Sequence, residues 1–200
     1  TLEFLSKGGV FIYPLILCSI AGLTAIFFKT LSLARSRTVP NELAGGMENM
    51  VSGQSDPVVA QLGQGGSSLA RLGAVALKHH GKPAEEISRA VEASAREEVV
   101  KMHSGIGVLD VVITVAPLLG LLGTASGLVT IFQGLGETTD HLAIARGIAE
   151  ALNTTIFGLA IAVPCVIAHS YFTRRIERIT ARMESVLAGF VSACSGNSSL

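Results

Sequence analysis

The chain has 200 residues, of which 49% are hydrophobic and only 15% are charged. Soluble domains carry about 25% charged residues, so this composition, with a mean hydropathy of +0.55, indicates a membrane protein. The formal net charge of zero argues against nucleic-acid binding, which needs a basic surface.

The first predicted element is an uncharged run, residues 8–28, which Lys29 and two arginines follow. A helix of about 20 apolar residues spans about 30 Å of hydrocarbon. A cleaved signal peptide is the alternative, because Lys7 precedes the run. The run is longer than the usual apolar region of about 7 to 15 residues in a signal peptide, and no persuasive cleavage site follows. We therefore assign residues 1–35 to a periplasmic N-terminus and a retained first transmembrane helix.

The next region, residues 36–110, is polar and is expected to form a cytoplasmic helical region. Three stretches in it are compatible with helices: residues 41–50, residues 67–80 and a segment beginning near Pro83. After Pro83 only Gly105 and Gly107 interrupt a helical pattern. We therefore expect the third of these helices to continue unbroken into the second apolar run.

Two further apolar runs, residues 111–133 and 151–173, flank a short polar loop from Gly134 to about Arg146. Apolar residues recur at helical spacing beyond the third run, so its helix is expected to continue into residues 174–200. The predicted fold class is an all-α integral membrane protein with three transmembrane helices. The second and third of these are expected to extend into long cytoplasmic helices, and residues 111–173 form a segment of two transmembrane helices joined by a periplasmic loop.

The orientation follows from the basic residues nearest the ends of the spans. Most of them lie on one side: Lys29, Arg35, Arg37, Arg96, Lys101, Arg174, Arg175, Arg178 and Arg182. This pattern predicts a multi-pass membrane protein with its N-terminus outside and its large loop and C-terminus in the cytoplasm.

Polar and small residues in the second span are the first candidates for a functional site. Gly120, Thr124 and Gly127 are spaced by four and three residues, so they share one face of a helix. Small residues let membrane helices approach closely, and hydroxyls often bond to backbone across such a contact. Helix packing and a pore lining therefore both remain open for these residues.

The third span opens with a second polar group of side chains. Glu150 is followed by Asn153, Thr154 and Thr155, which together make a water-accessible rim plausible. A carboxylate near membrane depth marks a functional site, whereas a carboxylate in the headgroup region near a helix N-terminus has only a structural role. Both interpretations of Glu150 remain open from its position.

Other reactive side chains do not assemble into a known site. The five histidines are scattered, and no Ser-His-Asp, CxxC, HExxH or P-loop pattern occurs. Cys18, Cys165 and Cys194 lack metal-ligand spacing and are expected to be free thiols. We therefore expect no enzyme activity, no cofactor and no metal.

Two long motifs carry a resemblance to a known family. The second span contains PLLGLLGTASGL (117–128) and the third contains GIAEALNTTIFGLAIAVP (147–164). Both motifs, in this order and within a chain of three predicted spans, resemble the MotA/TolQ/ExbB proton-channel family. MotA-type subunits have four spans, so the ExbB/TolQ branch fits better. Gly8 and Gly9 before the first span make the chain look most similar to ExbB, with TolQ next. Asn153 and Thr154 depart from the family, which often has apolar or small residues there.

The resemblance implies a function and partners that the residues alone do not supply. It implies a homopentamer whose second and third helices line a pore, around helices of an ExbD- or TolR-like single-span protein with an intramembrane Asp. The complex would lie in the bacterial inner membrane, with the N-terminus of this chain in the periplasm and its C-terminus in the cytoplasm. It would use proton-motive force and act through a TonB- or TolA-like protein. The pore positions that it implies are Thr124, Glu150 and Thr155, with Thr154, Asn153, Gly120 and Gly127 as secondary pore or packing positions.

Three function classes remain to be compared. The first is an ExbB-like subunit that energises TonB-dependent outer-membrane transport, with a TolQ-like role in envelope integrity or division as its alternative. The second is a structural scaffold in which the polar residues only join helices. The third, an enzyme or a solute transporter, would need a charged group at the bilayer midplane, where the spans have none.

Overall fold

The computed structural model describes residues 10–35, 66–134 and 141–196. Within these ranges every regular element is an α-helix: α1 (Ile12–Arg35), α2 (Ser68–Lys78), α3 (Ala84–His103), α4 (Ile106–Gly134) and α5 (His141–Gly196). Helices α1, α4 and α5 each contain a stretch long and apolar enough to cross a membrane. The prediction of an all-α protein with three membrane-spanning helices is confirmed. The helix predicted at residues 41–50 lies outside the described residues.

The chain divides into two compact units. The apolar unit comprises Thr1–Thr30 and Gly105–Phe172, and so includes most of α1, all of α4 and the first part of α5. The polar unit comprises Leu31–Ser104 and Thr173–Leu200, and so includes α2, α3 and the last part of α5. The division predicted from the sequence, into residues 1–35, 36–110, 111–173 and 174–200, stays a prediction.

The expectation of one helix running unbroken from Pro83 into the second span is wrong. Helix α3 ends at His103, and the Ser104 N–H bonds back to the carbonyls of Val100 and Lys101. Gly105 then adopts a φ of +85°, a left-handed conformation that only glycine takes without strain. Because a lone glycine is often tolerated inside a helix, the sequence did not reveal this break.

Helix α5 begins earlier than the sequence predicted and is 56 residues long. Its first residue is His141, so the stretch from there to Arg146, predicted as loop, is helical. The predicted continuation of this helix beyond the third span is confirmed. Glu150 therefore lies more than two turns inside α5, too far from its start for the helix dipole to explain a carboxylate there.

The polar unit has a hydrophobic core of its own. Its fully buried side chains come from α2, α3 and the last part of α5: Leu69, Leu72, Ile87, Phe190 and Met183 are the largest. Ser67 caps α2 by accepting a hydrogen bond of 3.2 Å from the Ala70 N–H. A turn separates α2 from α3, and Gly81 in this turn has a φ of +82°.

One buried carboxylate joins α2 to α3 in this unit. Glu98 is only 5% exposed and accepts hydrogen bonds from Arg71 (Nε to Oε1, 3.0 Å) and from Lys101 (3.2 Å). A second Arg71 nitrogen bonds its other oxygen, and the same guanidinium also donates to Ser68. The bond from Arg71, with smaller contributions from Ser68 and Lys101, outweighs burial and lowers the pKa of Glu98 to about 2.

We predict that Glu98→Gln destabilises the protein above pH 4.5 and has less effect as the pH falls. A carboxylate with a lowered pKa stabilises the fold above its ordinary pKa of 4.5, and that stabilisation is lost as the pH falls toward about 2. The loss at pH 7 should be about 1.5–3 kcal/mol, the usual contribution of hydrogen bonds to a charged group.

The measurement is the free energy of unfolding of the full chain in detergent at pH 7 and pH 3. Glu92→Gln is the matched control, because the Glu92–Arg96 pair is exposed on both sides and such pairs contribute little. An equal loss for Glu98→Gln at both pH values would contradict the prediction.

Candidate functional site

Helices α4 and α5 meet along a line of small residues, which we call the glycine seam. Its members are Ala116, Gly120, Gly123 and Gly127 of α4 and Ala151, Thr154 and Gly158 of α5. A Cβ atom placed on Gly158 would lie 2.5 Å from the Ala116 carbonyl oxygen, and one on Gly120 would lie 2.8 Å from the Thr154 carbonyl oxygen. The two backbones are therefore in direct contact, and no larger side chain fits between them.

Two of the predicted site residues, Thr124 and Thr155, come together at the edge of the glycine seam, and we call them the threonine pair. The Thr124 hydroxyl lies 3.0 Å from the Ala151 carbonyl oxygen, and the Thr155 hydroxyl lies 3.1 Å from the Gly120 carbonyl oxygen. The two hydroxyls also contact each other. The Thr124 hydroxyl also lies 3.1 Å from the Gly120 carbonyl oxygen of its own helix. Because each hydroxyl has one proton, Thr124 donates to Ala151, Gly120 or Thr155, and Thr155 donates to Gly120 or to Thr124.

The secondary candidates divide between the glycine seam and the rest of α5. Gly120 and Gly127 lie in the seam, where a Cβ on Gly127 would be 2.8 Å from the Ala151 Cβ. Thr154 is 2% exposed, donates to the Ala151 carbonyl and lies against Gly123. The geometry of these three residues fits helix packing.

Glu150 and Asn153 lie apart from the threonine pair. Glu150 precedes Thr155 by five residues on a continuous helix, which turns the two side chains about 140° apart. The two side chains therefore lie on different faces of α5. Asn153 follows Glu150 by three residues, about 60° around the helix, so these two share a side of α5 and both are partly exposed. A part for Glu150 in a proton pathway stays a prediction.

One side of the α4–α5 pair is open beside the threonine pair, and we call it the open face. Its exposed residues are Asp110, Thr114, Leu118, Leu121 and Ala125 of α4 and Leu152, Leu159, Val163 and Val166 of α5. Helix α1 covers another side, because a Cβ on Gly22 would lie 2.7 Å from the Cys165 sulfur and 3.4 Å from Val112. The threonine pair therefore lies between a packed seam and a surface that another helix could cover.

The structure also joins two ionisable residues that the sequence left scattered, which we call the His–Asp pair. The His169 Nε2 lies 3.0 Å from the Asp110 Oδ1, and the two side chains are 30% and 63% exposed. Asp110 precedes Thr124 by fourteen residues and His169 follows Thr155 by fourteen, which matches residues paired across two antiparallel helices. That symmetric spacing is the signal that could have identified the pair.

Gly158 also belongs to the contact between α4 and α5, although no sequence prediction singled it out. It lies seven residues after Ala151, as Gly127 lies seven after Gly120, so both helices carry small residues at the same interval. Two small-residue faces of equal period, on helices predicted to be adjacent, indicate a close crossing.

Comparison with known proteins identifies the family. The model of the MotA/TolQ/ExbB proton channel family matches residues 64–185, which is more than half of the chain. The chain belongs to the MotA/TolQ/ExbB proton channel family. It is also 33% identical over 92% of its length to an ExbB homolog for biopolymer transport from Methanothermobacter thermautotrophicus.

Relatives within the MotA/TolQ/ExbB family carry two kinds of name. The chain is 28% identical over 90% of its length to biopolymer transport protein exbB1 of Vibrio cholerae, and 35% identical over 49% of its length to the Tol-Pal system protein TolQ of Pseudomonas aeruginosa. It spans 67%, 82% and 43% of the length of the Methanothermobacter, Vibrio and Pseudomonas proteins. The resemblance to the family, with ExbB closest, is confirmed.

Membership in the MotA/TolQ/ExbB family has consequences for the whole molecule. It makes the chain a membrane-embedded component of a proton channel, in agreement with three helices that could cross a membrane. It implies a complex with ExbD/TolR-like and TonB/TolA-like partners. The family motif of the second span lies on α4 and that of the third span on α5, so both line the glycine seam.

Proposed function

We propose that the chain is an ExbB-like subunit of an inner-membrane proton-channel motor. With an ExbD-like partner it would use proton-motive force to energise TonB-dependent outer-membrane transport. Names of the ExbB kind among its relatives support this branch of the family. The role is proton conduction and mechanical coupling rather than catalysis.

The threonine pair beside the open face is the observation that carries the proposal. Between residues 111 and 133 of α4, and between residues 151 and 168 of α5, the chain has no acidic or basic side chain. A proton crossing this depth therefore needs a carboxylate from another protein. An intramembrane Asp on a partner helix that covers the open face would supply it.

The hydrogen bonds of the threonine pair could change acceptor when a partner carboxylate gains or loses a proton. Both hydroxyls bond to neutral backbone carbonyls in the isolated chain. A hydrogen bond to an ionised group contributes about 1.5–3 kcal/mol, against about 0.5–1.5 kcal/mol for a neutral one. An Asp carboxylate that enters the open face would thus attract the Thr124 hydroxyl away from Ala151, and protonation of the carboxyl would release it.

Glu150 and Asn153 have a separate place in the proposed pathway. They lie further toward the start of α5 than the threonine pair and on another side of the helix. We assign Glu150 to the entrance, where a partly exposed carboxylate would raise the local proton concentration. In a homopentamer five copies of this carboxylate would ring the pore, and the N-terminus would be periplasmic and the C-terminus cytoplasmic.

Native purification tests the proposed partnership. The full chain, tagged at its C-terminus and extracted in mild detergent from its own host, should copurify with a single-span protein that has an intramembrane Asp. The mass of the purified complex should correspond to five copies of the chain together with its single-span partner. Recovery of the chain alone, under several mild detergents, would contradict the proposal.

A TolQ-like function is the second candidate, supported by the identity to a TolQ protein. Deletion of the gene separates the two candidates, because loss of the ExbB-like function abolishes energised uptake while envelope integrity is kept. We expect the uptake defect, restored by the wild-type chain. Leakage of periplasmic proteins and chained cells with normal uptake would support the TolQ-like role instead.

A further inference from the structure

The His–Asp pair lies on the same side of the apolar unit as the threonine pair. Asp110 is fourteen residues from Thr124, and His169 is fourteen residues from Thr155. Fourteen residues are almost four helical turns, about 21 Å along the axis, so each ionisable residue lies within about 40° of the matching threonine around its helix. The two pairs are therefore two polar sites on one face of the apolar unit, and most side chains between them are apolar.

We propose that the His–Asp pair is a second proton-transfer site, which passes protons between the open face and water. This inference rests on the proposed proton-conducting function and adds to it the group that receives the proton after the partner carboxylate. Imidazole is the side chain whose charge changes between about pH 5 and pH 8, which suits a group that must both accept and release protons. Ionisable residues in membrane helices commonly mark such relays.

The exposure of the two side chains gives the transfer a direction. His169 is 30% exposed and Asp110 is 63% exposed, so the carboxylate is the member closer to water. A proton arriving from the open face forms an N–H bond at Nδ1 of the neutral ring. The Nε2–H bond to the carboxylate then breaks, the proton forms an O–H bond at Oδ1 of Asp110, and water removes it. The neutral ring then holds its proton on Nδ1. Loss of that proton to water, with uptake of another from water at Nε2, restores the first tautomer, and the pair ends with the charge with which it began.

The packing excludes a route through the middle of the two helices. The glycine seam leaves no space for water between the two polar sites, since a Cβ on Gly158 would lie 2.5 Å from the Ala116 carbonyl oxygen. The proton must therefore travel along the open face, where a moving partner helix or a file of water molecules connects the threonine pair with the His–Asp pair. Thr114, one turn from Asp110 and exposed, bonds its own helix backbone and offers a polar group on that route.

Charged groups that flank Asp110 or His169 in the sequence, and one on helix α1, need separate controls. They are Lys29 on α1, His103 at the end of α3, and Arg174 and Arg175 after His169 on α5. His103 is exposed and its Nδ1 bonds the Val99 carbonyl, so it is the matched histidine outside the proposed route. His103→Gln, Lys29→Gln and Arg174→Gln should each conduct protons as the wild type does.

Proton flux into liposomes that contain the full chain and its copurified single-span partner tests the inference. His169→Gln should lower the flux about 100-fold, the lower end of what a positioned proton-transfer group contributes. Asp110→Asn should lower it less, because water can replace an exposed carboxylate.

Chemical rescue separates proton transfer from a structural role. Free imidazole should restore flux through His169→Ala, and it should not affect His103→Ala. A wild-type flux in His169→Gln, or no rescue of a well-assembled His169→Ala complex, would overturn the inference and leave the proposed function standing. A wild-type complex without any proton flux would overturn both.

Discussion

Replacing Gly158 by alanine is expected to break the contact between α4 and α5. The new methyl group would lie 2.5 Å from the Ala116 carbonyl oxygen and 3.2 Å from the Gly120 Cα, and both are backbone atoms that cannot rotate away. The helices must separate, which also lengthens the hydrogen bonds of the threonine pair. Overpacking of this kind costs about 1–3 kcal/mol, and a backbone clash places the change at the upper end.

The free energy of unfolding in detergent, followed by helix content against denaturant concentration, measures this loss. Gly134→Ala is the matched control, because a Cβ there meets nothing within 4 Å. Since alanine favours a helix over glycine by about 1 kcal/mol, the control should be neutral or slightly more stable. Equal stability of Gly158→Ala and Gly134→Ala would show that the two helices do not meet at the glycine seam.

Thr124→Val is expected to abolish energised uptake while the complex still assembles. Valine has almost the shape of threonine, so the buried site keeps its packing and loses only the hydroxyl. Removing the hydroxyl leaves a partner carboxylate without its hydrogen bond, whereas the Ala151 carbonyl still accepts from Thr154. A positioned hydrogen-bonding group in a proton pathway contributes about 100-fold or more to rate, so the remaining uptake should be near the background.

Two controls accompany the Thr124→Val measurement in cells. Thr124→Ser keeps the hydroxyl and should retain most of the uptake. Thr130→Val removes an exposed hydroxyl that bonds only to the Ser126 carbonyl on the same helix, and it should behave as the wild type. Uptake by Thr124→Val equal to that of Thr130→Val would leave the pair with a packing role alone.

The membrane helices were predictable from the sequence because the hydropathy of a long run is enough to identify a transmembrane helix. An uncharged run of about 20 residues has few alternatives to a transmembrane helix, and three such runs are present. The break at Gly105 was not predictable in the same way. Whether one glycine ends a helix depends on the backbone angle that tertiary contacts impose, and here φ is +85°.

Spacing along one helix predicted part of the candidate site. The rest depends on how α4 and α5 pack against each other. Thr124 and Gly120 could be placed on one face from their spacing, since both lie on α4. The partner of Thr124 could not, because the register of α5 against α4 fixes which carbonyl it meets. The same register brings Asp110 next to His169. These two residues lie 59 positions apart in the sequence and belong to no common motif.

Energy sets a limit on how this protein could work as a motor. One proton that crosses 100 mV releases about 2.3 kcal/mol, comparable with the difference between a charged and a neutral hydrogen bond at the threonine pair. A single proton can therefore switch one Thr–carboxylate bond but do little further work. Five copies around a partner would let successive protons drive successive steps, which fits a rotating or stepping partner helix.

Proton flux through the reconstituted complex tests the central claim most directly. Liposomes that contain the full chain and its single-span partner receive a defined membrane potential, and an enclosed pH dye reports protons. We predict rapid flux through the wild-type complex, flux near background when the partner's intramembrane Asp is changed to Asn, and flux near background for Thr124→Val in an intact complex. Undiminished flux through the intact Thr124→Val complex would contradict the account.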